Sequence, residues 1–320
     1  MLRNAEPRIA PLQIYLPIAE MPVNMFMVLG MGGAVGFLSG LFGIGGGFLL
    51  TPLLIFTGIS PAVAVASVTA QIVASSSSGA LTYWRRKSID FKLASVLLVA
   101  GIVGSGVGVW LFTLLSQMGQ LDLVISISYV SFLGLIGGLM LIESMRAIMR
   151  ARAGTQLALR RPGQHNWIHG LPFKMRFRRS RLYVSVIPII VLGATIGFLG
   201  SVLGIGGGFI MVPALIYLLR VPTNVVIGTS LVQILFTMAA ATILHAINNQ
   251  SVDAVLALTL MIGGVMGAQL GAQMGQKLRG EQLRALLALV VLAVGVRFAV
   301  DLVIMPDELF SLAVRAEARQ

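Results

Sequence analysis

Ten consecutive residues hold most of the chemistry this sequence offers: Gly43-Ile44-Gly45-Gly46-Gly47-Phe48-Leu49-Leu50-Thr51-Pro52. The pattern returns 161 positions later as Gly204-Ile205-Gly206-Gly207-Gly208-Phe209-Ile210-Met211-Val212-Pro213. Glycine costs about 1 kcal/mol per residue relative to alanine in a helix. Three in a row inside an apolar run therefore predict a deliberate helix break. The break frees backbone N–H groups at the start of the next helical piece, where the helix dipole adds positive character. Gly45, Gly46 and Gly47, with Gly206, Gly207 and Gly208, are thus candidate binding residues for a small anion that needs no cationic side chain. Pro52 and Pro213 are candidate structural residues of the break. The run after each copy adds neutral hydrogen-bonding groups: Ser67, Thr69, Gln71 and Ser75 after the first, and Thr229, Ser230, Gln233 and Thr237 after the second. Gln71 and Gln233 stand out as candidates for selectivity, because an amide at membrane depth must find partners.

Other chemistries find little support. The chain has no cysteine, which excludes disulfides, thiolate metal sites and cysteine nucleophiles. The three histidines, His165, His169 and His245, lack metal-ligand spacing, so each reads as a solvated loop residue or a packed polar contact. A phosphate-binding loop would need Lys-Ser/Thr after its last glycine, where Phe48-Leu49 stands instead. No acid pair lies at depth, and no Ser–His–Asp set is evident. The expectation is no catalytic residue, no metal and no cofactor.

The elements that carry these residues are membrane helices. The 320 residues are 57% hydrophobic and 11% charged, with mean hydropathy +0.93, whereas a soluble domain carries about 25% charged residues. Apolar runs near the length of a bilayer core recur throughout, so the fold class is all-α integral membrane. The net charge of +12 is no nucleic-acid signature here. Nine Lys/Arg and no acid fall in 147–181, which reads as a basic cytoplasmic connector against anionic lipid headgroups.

Matches between the halves continue beyond the glycines. Gln71 pairs with Gln233, Ser88-Ile89-Asp90 with Ser251-Val252-Asp253, and Gly101, Gly104 and Gly108 with Gly264, Gly267 and Gly271. The offsets drift by only two residues, which indicates internal duplication. The two aspartates read as caps of the helices that follow. The expected organisation is an N-terminal segment (1–22), a first transmembrane repeat (23–146), the connector (147–181), a second repeat (182–304) and a tail (305–320). Each half would hold four or five helices, eight to ten in all, with one Gly-broken segment. The piece after each break is about ten residues, or roughly 15 Å of helix, half a hydrocarbon core. Counted as spans, these pieces give five helices per half, inverted halves and basic loops all on one side. Counted as re-entrant, they give four per half and parallel halves. The positive-inside rule favours inversion.

Two copies of Gly-x-Gly-Gly-Gly-x5-Pro, each followed by a Thr/Ser-rich span, resemble the TauE/SafE sulfite exporter family, also called the toluenesulfonate uptake permease family. The resemblance runs from about 24 to 304. It implies a secondary transporter of small sulfur-containing anions, such as sulfite or sulfonates, in the bacterial inner membrane. Gly228-Thr229-Ser230 follows the family's Gly-Thr-Ser, while Ala66-Ser67-Val68-Thr69 departs from it. The alternatives are a small-anion channel or facilitator, a transporter of short organic acids, and a non-transporting membrane scaffold.

Overall fold

The computed structural model describes residues 12–42, 46–85, 87–152, 172–177, 180, 182–217, 219, 223–275 and 280–303. The first half holds a two-stranded hairpin, β1 (Gln13–Leu16) and β2 (Met21–Asn24), and five helices: α1 (Met25–Phe42), α2 (Gly47–Phe56), α3 (Pro61–Arg85), α4 (Phe91–Gln117) and α5 (Leu121–Arg152). The second half repeats this order with β3 (Lys174–Phe177), β4 (Leu182–Ser185), α6 (Val186–Leu203), α7 (Gly208–Tyr217), α8 (Thr223–Asn248), α9 (Ala254–Gly275) and α10 (Gly280–Val303). Six helices among the described residues are long and apolar enough to cross a membrane, and three apolar helices are shorter.

Apolar side chains cover the outside. Val99, Val103, Val107 and Trp110 line one exposed face of α4, and Leu258, Ile262, Met266 and Leu270 one face of α9. Spacings of three and four place each set on a single helical stripe. A soluble protein could not leave such stripes in water, so they are faces for lipid. The polar residues of the central helices are instead buried, among them Ser67, Thr69, Gln71, Thr229, Ser230 and Gln233.

The halves interlock. α1 packs along α9 and α6 along α4, each pair in glycine-to-backbone contact. A Cβ on Gly36 would overlap the carbonyl of Gly264, and one on Gly197 the carbonyl of Gly101. On Gly193 it would lie 2.6 Å from the Leu97 carbonyl oxygen. Small residues thus let these backbones touch, as the glycine spacings predict. The contacts of Gly32, Gly36 and Gly40 fall on Leu260, Gly264 and Ala268, so α1 and α9 run parallel.

Equivalent helices run antiparallel to one another. Thr242 of α8 bonds Thr69 of α3 at 2.9 Å, while Gly79 faces Leu231. Tyr129 stacks on Phe298, while Gly137 meets Leu292, so α5 and α10 also oppose. Opposed equivalents are the geometry of an inverted repeat, with α2 and α7 counted among five helices per half. The C-terminal ends of α3, α5, α7 and α9 then lie at one end of the bundle, where the connections that follow them begin. Arg85, Lys87, Lys174 and Arg176 lie in or beside these connections.

The hairpins are absent from the sequence-based expectation. They occupy 13–24 and 174–185, again 161 apart. Each aspartate expected to cap a helix does so and holds a hairpin as well. Asp90 accepts from the Lys92 and Leu93 amides at 3.2 Å with one oxygen, and from the Ser180 amide and hydroxyl at 3.0 and 2.8 Å with the other. Asp253 accepts from the Leu256 amide at 3.0 Å, and from the Ile18 and Ala19 amides at 2.9 and 3.4 Å. Each carboxylate therefore caps a helix in its own half and pins the hairpin of the other.

Candidate functional site

The structure brings the two glycine breaks together. The Phe48 and Phe209 rings, one from each motif, stack with centroids 4.5 Å apart and planes 13° apart. A Cβ on Gly47 would overlap the Gly204 carbonyl and the Ile72 side chain. On Gly204 it would lie 2.7 Å from Thr51 Oγ1 and 3.2 Å from Val65 Cα. The breaks thus meet where α3 passes between them. Gly46 packs on Val35 and Ser39 of α1, and Gly207 on Ile196 of α6. Gly204, Gly206 and Gly207 have φ of +67°, +74° and +74°, where an L side chain is strained. Gly204 caps α6, its N–H returning to the Gly200 carbonyl at 2.9 Å.

After each break a short helix begins, α2 at Gly47 and α7 at Gly208. The N–H groups that open each helix precede its hydrogen-bond ladder. The earliest ladder bonds run from Leu49 and Leu50 to the Gly46 carbonyl, and from Ile210 and Met211 to the Gly207 carbonyl. α2 runs through Pro52 to Phe56, so its break lies at the glycines. Pro213 falls within α7, and Gly43 to Gly45 lie outside the described residues.

The polar candidates on α3 and α8 divide into tiers. Ser67 Oγ accepts the Asp253 amide at 3.0 Å, and Thr229 Oγ1 accepts the Asp90 amide at 3.1 Å. Both belong to the carboxylate staples at opposite ends of the bundle. Thr69 meets Thr242 at the α3–α8 contact. Ser75 and Ser230 donate to carbonyls of their own helices, Ile72 and Ile227, at 3.1 and 3.0 Å. Such back-bonding satisfies a hydroxyl locally.

The two glutamines differ from all of these. Gln71 reaches toward α9, where a Cβ on Gly264 would overlap its Nε2. Gln233 reaches toward α4, its Nε2 2.7 Å from the Cβ position of Gly101 and donating to Thr237 Oγ1 at 2.9 Å. Each is essentially fully buried, and neither Oε1 has a hydrogen-bond partner. A buried unpaired amide oxygen costs about 1–3 kcal/mol. Thr51, Ser76 and Ser251 also bury an oxygen with no partner, but only the glutamines do so at equivalent positions of the two halves. The amide's O and N can exchange places by a flip, so each glutamine can offer either an acceptor or a donor.

Several contributors escape sequence reasoning. Phe48 and Phe209 are repeated in both motifs, but nothing in the letters says that the rings meet. Tyr129 donates to the Leu203 carbonyl at the end of α6, and His245 is buried against the Ser201 carbonyl at 2.9 Å. His165 and His169 lie outside the described residues. Among the described residues no group of three His, Cys, Asp or Glu could hold a metal.

The comparisons agree with the doubled motif. The family model described as "Sulfite exporter TauE/SafE" matches residues 28–298. A "Probable membrane transporter protein YjnA" of Bacillus subtilis is 28% identical over 267 residues, covering 83% of this chain and 96% of that protein. A second from the same organism, YunE, is 26% identical over 85% of this chain and 95% of its own. "Sulfite exporter TauE/SafE family protein 1" of Arabidopsis thaliana is 32% identical over a shorter stretch, 32% of this chain and 23% of that protein. No solved structure matches. The family match runs from α1 of one half to α10 of the other and takes in both breaks: the chain belongs to the TauE/SafE sulfite exporter family of membrane transporters.

Proposed function

We propose that the protein is a secondary transporter that exports a small sulfur-containing anion, with sulfite the first candidate, across the bacterial inner membrane by alternating access. The observation that carries this reading is the meeting of the two glycine breaks, with α3 and α8 each burying a glutamine whose amide oxygen is unpaired. Helix starts supply fixed N–H groups and a favourable dipole. Gln71 and Gln233, by flipping, suit an anion that exchanges between its bare and protonated forms. The site uses Gly46, Gly47, Gly206, Gly207 and Gly208 as backbone donors, with Thr69, Ser75 and Ser230 as its neighbours. Neutral donors bind an anion loosely enough to let it go, as a carrier needs.

Alternating access draws support from the antiparallel equivalents, since inverted halves can exchange conformations to open either face. The basic connections belong at the cytoplasmic end by the positive-inside rule. The basic connector would then lie against anionic lipids. Export, rather than uptake, follows the family's description.

The test is a ligand screen on the purified protein followed by flux. Sulfite, sulfate, thiosulfate, simple sulfonates and short carboxylates are compared by thermal shift, and the binders are then loaded into proteoliposomes. Sulfite or a sulfonate should raise the melting temperature and show saturable counterflow. Stabilisation by carboxylates alone points to an organic-acid transporter. Single-channel currents without saturation point to a channel.

A further inference from the structure

His245 has a use beyond packing. It lies in the last turn of α8, and the network around it is complete. Its Nε2 faces the Ser201 carbonyl at 2.9 Å, and a carbonyl only accepts, so Nε2 carries the proton. Its Nδ1 accepts from Asn249 Nδ2 at 3.1 Å. Asn249 Oδ1 accepts from Thr113 Oγ1 at 2.7 Å. Thr113 Oγ1 also stands 2.9 Å from the Val109 carbonyl, a second place for its one hydrogen.

This network closes equally well with one more proton. Protonated at Nδ1, His245 needs an acceptor there, and a flip of the Asn249 amide supplies Oδ1. The displaced Nδ2 then donates to Thr113 Oγ1, whose hydrogen turns to the Val109 carbonyl. Every donor finds an acceptor in both states, with no change beyond one amide flip and one hydroxyl rotation. A histidine placed only for packing has no need of a partner set that reads in both directions. The imidazolium would also face the carbonyl end of α6, the negative end of a helix dipole.

We propose that His245 is a proton-binding site, and that its protonation state governs how the end of α6, and so the second glycine break, is held. Ser201 lies three residues before Gly204, the first glycine of that break. Asn249 is half-buried and Gln250 exposed, which opens a path from His245 to solvent at that end of the bundle.

Among the described residues, no charged group stands beside the imidazole. α4 presents Phe112, edge-on to the imidazole at 4.6 Å, and Thr113, while its Lys92 lies at the opposite end. α6 has no titratable residue. α5 brings the Tyr129 hydroxyl to Leu203, and its Asp122 is exposed. Tyr83 and Arg85 of α3 and Tyr217 of α7 lie at the other end of the bundle. Asp253 is engaged by the hairpin and Glu20 is exposed on it.

The test uses the full chain in lipid nanodiscs with nitrogen-labelled histidine. His165→Gln and His169→Gln leave His245 as the sole histidine. The imidazole spectrum should show one protonated nitrogen near pH 8 and two near pH 5, the range in which histidine switches. Because the chain has no cysteine, Val202→Cys gives a single reporter beside Ser201. Its labelling rate by a membrane-impermeant reagent, relative to the same reporter carrying His245→Gln, should change about tenfold across that range. An imidazole that stays neutral throughout overturns the proposal. So does one that titrates while the relative labelling rate stays flat, which is the result for a purely structural histidine. If His245→Gln fails to fold, His245→Asn serves as the reference for the labelling rate. Neither readout needs a transported anion, so both stand whether or not the transport reading survives.

Discussion

The two breaks share the letters Gly-Ile-Gly-Gly-Gly-Phe but not the backbone: Gly207 has φ +74° and its equivalent Gly46 φ −69°. At the second, Tyr129 and His245 bond the Leu203 and Ser201 carbonyls, the last acceptors of α6 before the glycines. At the first, Gly43 to Gly45 lie outside the described residues. The staples, by contrast, are matched: Asp90 with Thr229 and Ser180, Asp253 with Ser67 and the 18–19 amides. Duplication therefore sets where the breaks and staples sit. At the second break, Tyr129 and His245 add anchors to that duplicated plan. Under the proposed alternating access, the two faces need not open at equal cost.

Symmetry should govern the largest effects. Gly36→Val and Gly197→Val each drive a side chain into the backbone of the facing helix. Both should abolish the monodisperse, detergent-extracted protein, since overpacking against backbone costs about 1–3 kcal/mol or more. Size-exclusion profiles check this, and survival of one but not the other would break the symmetry. Asp90→Ala and Asp253→Ala should come next, each costing about 3 kcal/mol by losing a helix cap and a charged bond to the hairpin. Thermal melting should show equal losses within error.

Asymmetry should appear below that. Gly207 has φ +74° and faces Ile196, whereas Gly46 has φ −69° with Val35 Cγ1 2.7 Å from its Cβ position. Gly207→Ala should therefore melt lower than Gly46→Ala, by the 1–2 kcal/mol that a left-handed conformation costs an L residue. The same strain makes Gly207→Val a poor probe of transport, because lost stability would mask lost function. Tyr129→Phe should be the smallest of these effects, about 1 kcal/mol from an unpaired carbonyl at the end of α6. A loss indistinguishable from zero would show that the second break is not held by its added anchor.

Much of this was legible in the letters, and the reason is the period of the repeat. Glycines at 32, 36 and 40 and at 264, 267 and 271 announce close helix contacts, though not that α1 meets α9 of the other half. The break is announced by three glycines, because no helix favours them. The capping role of Asp90 and Asp253 is readable from position, whereas their second oxygens depend on a partner some 90 or 235 residues away. The hairpins went unseen because their strands are four residues long and share a single letter, Val23 with Val184. Their only trace is an alternation, Ile14 and Leu16 against Met175 and Phe177, whose last residue is buried in each. Ser67 and Thr229 carry the residue types of a binding site, yet their oxygens serve the staples. Gln71 and Gln233 were singled out because an amide at membrane depth must find partners, yet each leaves its Oε1 without one.

The central claim is that these two glutamines, beside the paired breaks, handle the transported anion. Radiolabelled sulfite counterflow in proteoliposomes, with Gln71→Met and Gln233→Met measured beside the parent protein, tests it most directly. Methionine keeps the side-chain length and removes the unpaired oxygen, so melting temperatures should hold or rise. Flux should fall about tenfold or more in each, the loss of roughly one hydrogen bond to an ionised partner. Parental flux in both variants, at parental stability, would contradict the account.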